Sequence, residues 1–384
     1  MKILNAEYGM KRILGTFVHE DKVIDLQECY ALFLNDIMGD PRAKEMAAER
    51  LPYDFSEILE GGDKYVRAFN AAVSFGTKIF NEGLVDLPYD VSTLVPKLPL
   101  TPRALVCLES NFKDYFDETN RTRPDQAGFF LKLPHTMIGP GEAFWADPRL
   151  IKKLDYGVQL GVVIGKGGRN ISPERALDHV FGYTIINNLS ARDHEILPWG
   201  EGGREFHVRY GQGRNFDKSV ALGPWILTKA EMDHPEDLSM RTWVNGELRQ
   251  EDNTKNFLWS IPETIHYVSR IMSLKPGFVI AMGTPGGCGL CSDEVLGANT
   301  RERSGEAKQG GYLQVGDDIR CEIEAIGVLE NRVRRPLRDS SFAFSFKPFP
   351  YRGEAVSITE SSTTEIFKWG QQETKDWGKP GRRK

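Results

Sequence analysis

Tyr156-Gly157-Val158-Gln159-Leu160-Gly161-Val162-Val163-Ile164 is the stretch on which the fold of this 384-residue chain turns. Val158, Leu160, Val162 and Ile164 recur at every second position, the period of a strand with one face in a core. The opposite face carries Gly157, Gln159 and Gly161, an unusual set for a buried strand. Downstream, Ser172-Pro173-Glu174-Arg175 sets an N-cap residue before a proline at the first helical position, which opens a short helix through Val180. Residues 181–189 then read as a strand, as do 222–227, 241–244, 278–282 and 319–323, while 262–272 is the clearest helix. Strands outnumber helices and do not alternate regularly with them, which predicts a mixed β domain with some α (α+β) and not a doubly wound sheet.

Upstream, Arg12–Val18 and Lys22–Leu26 flank the polar turn His19-Glu20-Asp21 as the arms of a hairpin. Residues 27–85 are rich in Ala, Leu, Glu and Lys and poor in β-branched residues, so helices are expected there. Prolines at 96, 99 and 102 resist both helix and central strand and mark residues 95–102 as a connector. The chain therefore divides into a small N-terminal domain (1–100), a β-rich domain (101–338) and an aromatic, basic extension (339–384). The extension carries Phe342, Phe344, Phe346, Phe349, Tyr351, Trp369 and Trp377 and ends Arg382-Arg383-Lys384. It reads as a tail strapped over the domain or a neighbouring subunit, or as a binding element for an acidic partner.

Composition limits the function. With 40% apolar and 27% charged residues the chain is in the ordinary globular range, which excludes disorder. The net charge is -5 and no basic stripe interleaved with aromatics stands out in the body of the chain, so nucleic acid is not an expected partner. Cys29, Cys107, Cys288, Cys291 and Cys321 are odd in number and scattered, unlike a secreted disulfide scaffold. Neither a leader nor an apolar run long enough to span a bilayer is recognisable, so the expected place is the cytoplasm, away from membranes.

Six segments in register resemble the fumarylacetoacetate hydrolase (FAH) family. They are Asn111-Phe112-Lys113-Asp114-Tyr115-Phe116-Asp117-Glu118; Phe130-Leu131-Lys132-Leu133-Pro134 with Ile138-Gly139-Pro140-Gly141; Val162–Lys166; Gly182-Tyr183-Thr184 with Asn187-Asn188-Leu189-Ser190-Ala191-Arg192-Asp193; Trp243–Glu247; and Gly283-Thr284-Pro285-Gly286-Gly287. The match covers about residues 102–335. It implies a β-roll catalytic domain behind a small N-terminal domain, assembly as a homodimer, and action on small oxo-acids by carbon-carbon cleavage, decarboxylation, isomerisation or dehydration.

The departures are as informative as the match. The family binds a divalent cation, usually Mg²⁺, through a Glu-x-Glu pair on a strand and an Asp in the Asn-Asp-x-Ser-Ala-Arg-Asp segment. Residues i and i+2 of a strand point to one side, so such a pair can grip one hard cation. Here those positions are Gly157, Gln159 and Asn188, and three carboxylates have become none. No metal is expected unless Asp155, Glu195 or His194 substitutes. The family's His–Glu dyad has become Tyr115 with Glu118 retained. Tyrosine, with a pKa near 10, is a poor base at neutral pH but a usable hydrogen-bonding acid; it also reads as a packing aromatic of a mobile lid.

What remains is positive. Lys132 and Arg192 match family positions, and Arg214 stands where lysine is common. They are the candidate anchors for a substrate carboxylate or enolate, together with Thr284. Arg192 reads alternatively as a salt-bridge partner of Asp193. Glu195, where glutamine is frequent, is expected either to pair with Arg214 or to act as a replacement acid or base. Cys288-Gly289-Leu290-Cys291 is a lone pair without a second at finger-like spacing, which makes zinc or redox chemistry a minor reading. His135, His194 and His207 are the histidines nearest the site segments. The resulting expectation is a metal-independent enzyme of small anionic oxo-acids, with Tyr115, Glu118 or Glu195 moving protons. The competing expectation is a catalytically silent homologue that binds a small acid or acts as a structural partner.

Overall fold

The computed structural model describes residues 1–83, 88–119, 121–199, 205–293 and 311–336, with backbone alone at 198–199 and 205–207. The expected extension from residue 339 lies outside the described residues. The alternating stretch forms the strand Val158–Ile164 inside a twelve-stranded sheet. Its path runs through Tyr89–Asp90, Lys22–Asp25, Lys11–His19, Lys2–Tyr8, Val220–Thr228, Val180–Asn188, Val158–Ile164, Val279–Ala281, Leu105–Leu108 and Phe129–Lys132. The N-terminal hairpin thus belongs to the same sheet, through Lys2 and Ile3 paired with Leu227 and Ile226. A boundary near residue 100 falls inside this hydrogen-bonded system, between the strands 95–97 and 105–108.

The two faces have different covers. Val158, Leu160, Val162 and Ile164 share a core with Met240, Val244, Ile319, Cys321, Leu329 and Val333. These last residues come from a five-stranded sheet ordered Glu247–Asn253, Ser239–Val244, Asp318–Ile323, Gly327–Arg334, Ala143–Trp145. The opposite face, with Val163, Ile186, Leu222, Val279 and Ala281, packs against Leu26, Cys29, Phe55, Ile58, Phe69 and Ala72. Those residues lie on the N-terminal helices Leu26–Leu32, Phe55–Glu60 and Asp63–Asn81 and so use the helical region expected over 27–85. The strand is consequently covered on both sides and not half-buried, which explains the small residues on its second face.

Several local expectations differ in detail. Pro173–His179 is a 3₁₀ helix, and Ser172 occupies the cap position without a side-chain cap bond. The helix Ile261–Ile271 has a full capping box, with Ser260 and Glu263 each bonding the other's backbone N–H. Val95–Lys97 is a strand, not a bare connector: Pro96 stands opposite Ala6 on a three-residue strand at the sheet's margin, a place where a missing N–H is tolerated. Among the described residues no helix is long and apolar enough to cross a membrane.

Candidate active site

Strand register assembles the site. Leu105 lies opposite Lys132 and Cys107 opposite Phe130, while Ala281 is beside both Cys107 and Gly161. Gln159 is opposite Ile186, and Asn188 donates its backbone N–H to Gly157 O at 2.9 Å. Because parity alternates along each strand and is shared by directly opposed residues, Lys132, Cys107, Gln159, Gly157 and Asn188 all project from one face.

Lys132 is 1% exposed, and its Nζ donates to Asn188 Oδ1 (3.1 Å), Leu189 O (3.2 Å) and Ser219 O (3.0 Å). Three oxygens match the three hydrogens of an ammonium, but all three are neutral. Burial pushes the Lys132 pKa well below the usual lysine value, with the nearby Arg214 acting in the same direction. Asn188 completes its bonding by donating Nδ2 to Cys107 Sγ at 3.4 Å, and burial pushes that thiol up to about 11.

The remaining charges form one buried chain. Arg192 Nε donates to Asp155 at 2.8 Å, and its Nη1 reaches Glu195 at 3.1 Å. Arg214 then meets the same carboxylate through Nη2 (3.0 Å) and Nε (2.9 Å). Burial alone would raise the Glu195 pKa, but Arg214 and Arg192 hold it below the ordinary value. For Arg192 burial also opposes the charge, and Glu195, Tyr115 and Asp155 outweigh it, holding the guanidinium charged. Asp155 further accepts the backbone N–H groups of Tyr156 (2.9 Å), Gly289 (2.6 Å) and Leu290 (3.1 Å). Arg192 is therefore paired with Asp155 and Glu195, while Asp193 accepts from Lys152 N instead.

A short helix, Lys113–Thr119, closes over the turn Gly283–Gly287. Asp114 accepts the N–H of Gly286 at 2.9 Å and Glu118 that of Gly287 at 2.6 Å. Burial, then the charges of Asp252 and Glu118, raise the Asp114 pKa to about 7. Tyr115, on the same helix, is 2% exposed and packs edge-on to Phe116; burial raises its hydroxyl above the ordinary value against the pull of Arg192. Beneath the turn, Gln250 accepts from Val158 N and Thr242 Oγ1 and donates to Thr284 Oγ1 (3.0 Å), Pro285 O and Gly286 O. Gln250 and Asp114 fix the turn that carries Thr284; Asp114 lies within the family-like segment 111–118, whereas nothing in its local sequence marks Gln250 as part of the site. The helix Tyr210–Arg214 forms another wall: Tyr210 stacks on Phe130 at 4.8 Å, and Arg214 lies 5.0 Å from the same ring. Cys288 and Cys291 approach to 3.5 Å beside this region, whereas His135 is exposed and the half-buried His194 meets Leu150 O. The side chain of His207 lies outside the described residues.

The residues at the family's metal positions do not fit a dication. A Cβ at Gly157 would stand 2.9 Å from Thr284 Oγ1 and 3.2 Å from its Cγ2, so Thr284 fills the room a side chain would need. Asn188 Oδ1 is taken by Lys132, which leaves the single neutral oxygen of Gln159, 3% exposed and without a hydrogen-bond partner. Of the possible substitutes, Asp155 and Glu195 are held by arginines, and His194 meets Leu150 O. Among the described residues no group of three His, Cys, Asp or Glu is placed to hold a metal ion.

A mixed sheet clasped between a second sheet and an N-terminal helical layer, with a lid helix over a glycine-rich turn, defines an enzyme of the β-roll class. Residues 104–334 match the model of the fumarylacetoacetate (FAA) hydrolase C-terminal domain. The chain is 31% identical over 337 residues to the oxaloacetate tautomerase YisK of Bacillus subtilis, covering 87% of this chain and all of that one. It is 32% identical over 284 residues to the mitochondrial oxaloacetate tautomerase FAHD2B of Bos taurus, covering 74% and 80%. The solved fumarylacetoacetate hydrolase of Exiguobacterium antarcticum superposes with a TM-score of 0.61 at 27% identity, over 88% of this chain and all of that one. The chain belongs to the fumarylacetoacetate hydrolase family of enzymes.

Proposed function

We propose that this enzyme interconverts the keto and enol forms of a small anionic oxo-acid without a divalent metal. The observation that carries the reading is the replaced and filled metal site: Gly157 blocked by Thr284, and Asn188 bonded to a lysine whose three hydrogen-bond acceptors are neutral oxygens. Two relatives named as oxaloacetate tautomerases support the reaction class. Tautomerisation needs a proton moved between carbon and oxygen and an electrophile for the enolate, but no activated water. Carbon-carbon hydrolysis does need that water, and the family's His is here a buried tyrosine.

In this reading Lys132 supplies the positive potential that favours an enolate, while Arg214, balanced by Glu195, shapes the wall beside it. Thr284 Oγ1 offers a hydrogen bond to a substrate oxygen once the lid lifts from Gly286 and Gly287. Tyr115 donates a hydrogen bond from a hydroxyl that stays protonated, and Glu118 fastens the closed lid. Arg192 and Glu195 hold the wall in place through their buried pairing.

Chelator-treated protein incubated with oxaloacetate and a panel of acylpyruvates, followed by NMR for keto–enol exchange and by mass spectrometry for cleavage, tests this. Exchange unaffected by chelator is expected. Strict dependence on added Mg²⁺ overturns the metal-free reading, and ligand binding without exchange favours the silent homologue.

A further inference from the structure

The register that gathers the site carries one residue further than the family motifs reach. Two positions beyond Cys107 on the same strand face is Glu109, opposite Gly128, whose carbonyl accepts the Glu109 N–H at 3.0 Å. Leu105, Cys107 and Glu109 therefore project to the side that bears Lys132 and Phe130. A Cβ at position 128 would stand 2.5 Å from Glu109 Oε2, so the carboxylate lies folded over a strand that only glycine leaves open. The Tyr210 ring is held beside this carboxylate by its stack on Phe130, and its hydroxyl favours the ionised form of Glu109. Lys132, Arg192, Glu195 and Tyr115 are 2% exposed or less, whereas Glu109 is half-buried. Glu195 is also saturated by two guanidinium groups.

We propose that Glu109 is the carboxylate that transfers the proton in this site and that Tyr210 is its positioning residue. The proposal rests on the tautomerase reading and adds the base that reading lacks. The Glu109 carboxylate removes a proton from the carbon next to the substrate's carbonyl. The C–H electron pair becomes the new C=C bond, and the carbonyl π pair moves to oxygen. The same carboxyl then returns its proton to that oxygen, which gives the enol and consumes no co-reactant. The charged and titratable groups facing Glu109 are Tyr210, Arg214, Glu195 and Arg121. Tyr210 and the arginines favour the ionised form, while burial and Glu195 oppose it.

The test compares wild type, Glu109→Gln and Tyr210→Phe by solvent deuterium exchange into oxaloacetate and by binding of oxalate, an enolate mimic that cannot react. Glu109→Gln is expected to lower kcat by about 10²–10⁴-fold, the usual contribution of a positioned acid–base group, while oxalate still binds. Tyr210→Phe removes a hydroxyl that favours the ionised carboxylate. The acidic limb of its pH profile should move to higher pH with a smaller loss of kcat, a shift that a purely structural role would not produce. Exchange by Glu109→Gln within threefold of wild type overturns the proposal and leaves the tautomerase reading intact. Absence of exchange in the wild type itself overturns both.

Discussion

The chain Asp155–Arg192–Glu195–Arg214 makes a quantitative prediction about Glu195→Gln. All four side chains are at most 6% exposed, and their formal charges sum to zero. The substitution keeps the shape and removes one negative charge, leaving two guanidinium groups to share Asp155. Breaking a buried pair from one side costs about 3–5 kcal/mol, because the surviving charge stays desolvated and uncompensated. Against a typical total of about 5–15 kcal/mol that is a large loss. A second change separates charge balance from lost contacts: Glu195→Gln with Arg214→Met restores neutrality and should recover most of the loss, since apolar replacements of a buried pair are close to neutral. Urea unfolding at neutral pH measures both. The pH dependence supplies a further sign. Glu195 has a depressed folded pKa, so its contribution is present above the unfolded value near 4.3 and is lost as pH falls through the lower folded value. Both variants should lack that part of the acid limb. A loss below about 1 kcal/mol for Glu195→Gln, or no recovery in the double variant, would refute the reasoning that these charges are held in place by each other.

Two other changes probe the filled metal site and the lid. Gly157→Ala has no backbone penalty, since no left-handed φ is required there, and would by itself reduce unfolded-state entropy; contact with Thr284 should nevertheless make it destabilising by about 1–3 kcal/mol in a thermal melt. A neutral or raised Tm would show that Thr284 does not occupy the space. Asp114, with a folded pKa of about 7 against an unfolded value near 3.9, binds a proton more tightly in the native state. Its contribution is fully present below the unfolded value and is lost as pH rises through the folded one, a decline on the order of 2–4 kcal/mol between about pH 4 and 7. Asp114→Asn should flatten that slope in urea midpoints taken across the range, and an unchanged slope would contradict it.

Much of the fold was legible because it rests on local pattern. The alternation at 158–164 identified a strand, and Ser260 with Glu263 supports the helix read over 262–272. What was not legible depends on pairings distant in sequence. Residue order offers Arg192 as a substrate anchor or, alternatively, as a partner of its neighbour Asp193, yet the carboxylate that reaches its Nε is Asp155, 37 residues away across a two-stranded ladder in which Leu154 faces Ala191. The covering of the strand's second face follows from helices more than 75 residues upstream, and no periodicity within 158–164 reports it. The same limit applies to the site. The vacancies at 157, 159 and 188 can be read from residue types alone, but that Thr284 fills the first of them is a contact between segments 127 residues apart. Glu109 joins the site only once residues 105–108 are known to pair with 129–132.

In the proposed metal-free reading these pairings also make the loss of the three carboxylates electrostatically coherent. In the family arrangement that the sequence resembles, three carboxylates, a dication and one lysine sum to zero. Removing the carboxylates while keeping the dication would leave three uncompensated positive charges in a desolvated pocket, which no protein interior tolerates without partners. In the proposed reading both are gone, and Lys132 is held by three neutral carbonyl oxygens with its charge disfavoured by burial until an anion binds. One unneutralised charge is what an anionic oxo-acid can itself balance when it binds, and balance supplied by the substrate strengthens as negative charge develops on its oxygen. The four-membered chain of Asp155, Arg192, Glu195 and Arg214 is already neutral and has no such charge to offer. In the proposed reading electrostatics separates the cations that the sequence presents as a set: Arg192 and Arg214 chiefly hold the wall, and Lys132 is left to meet the substrate's charge.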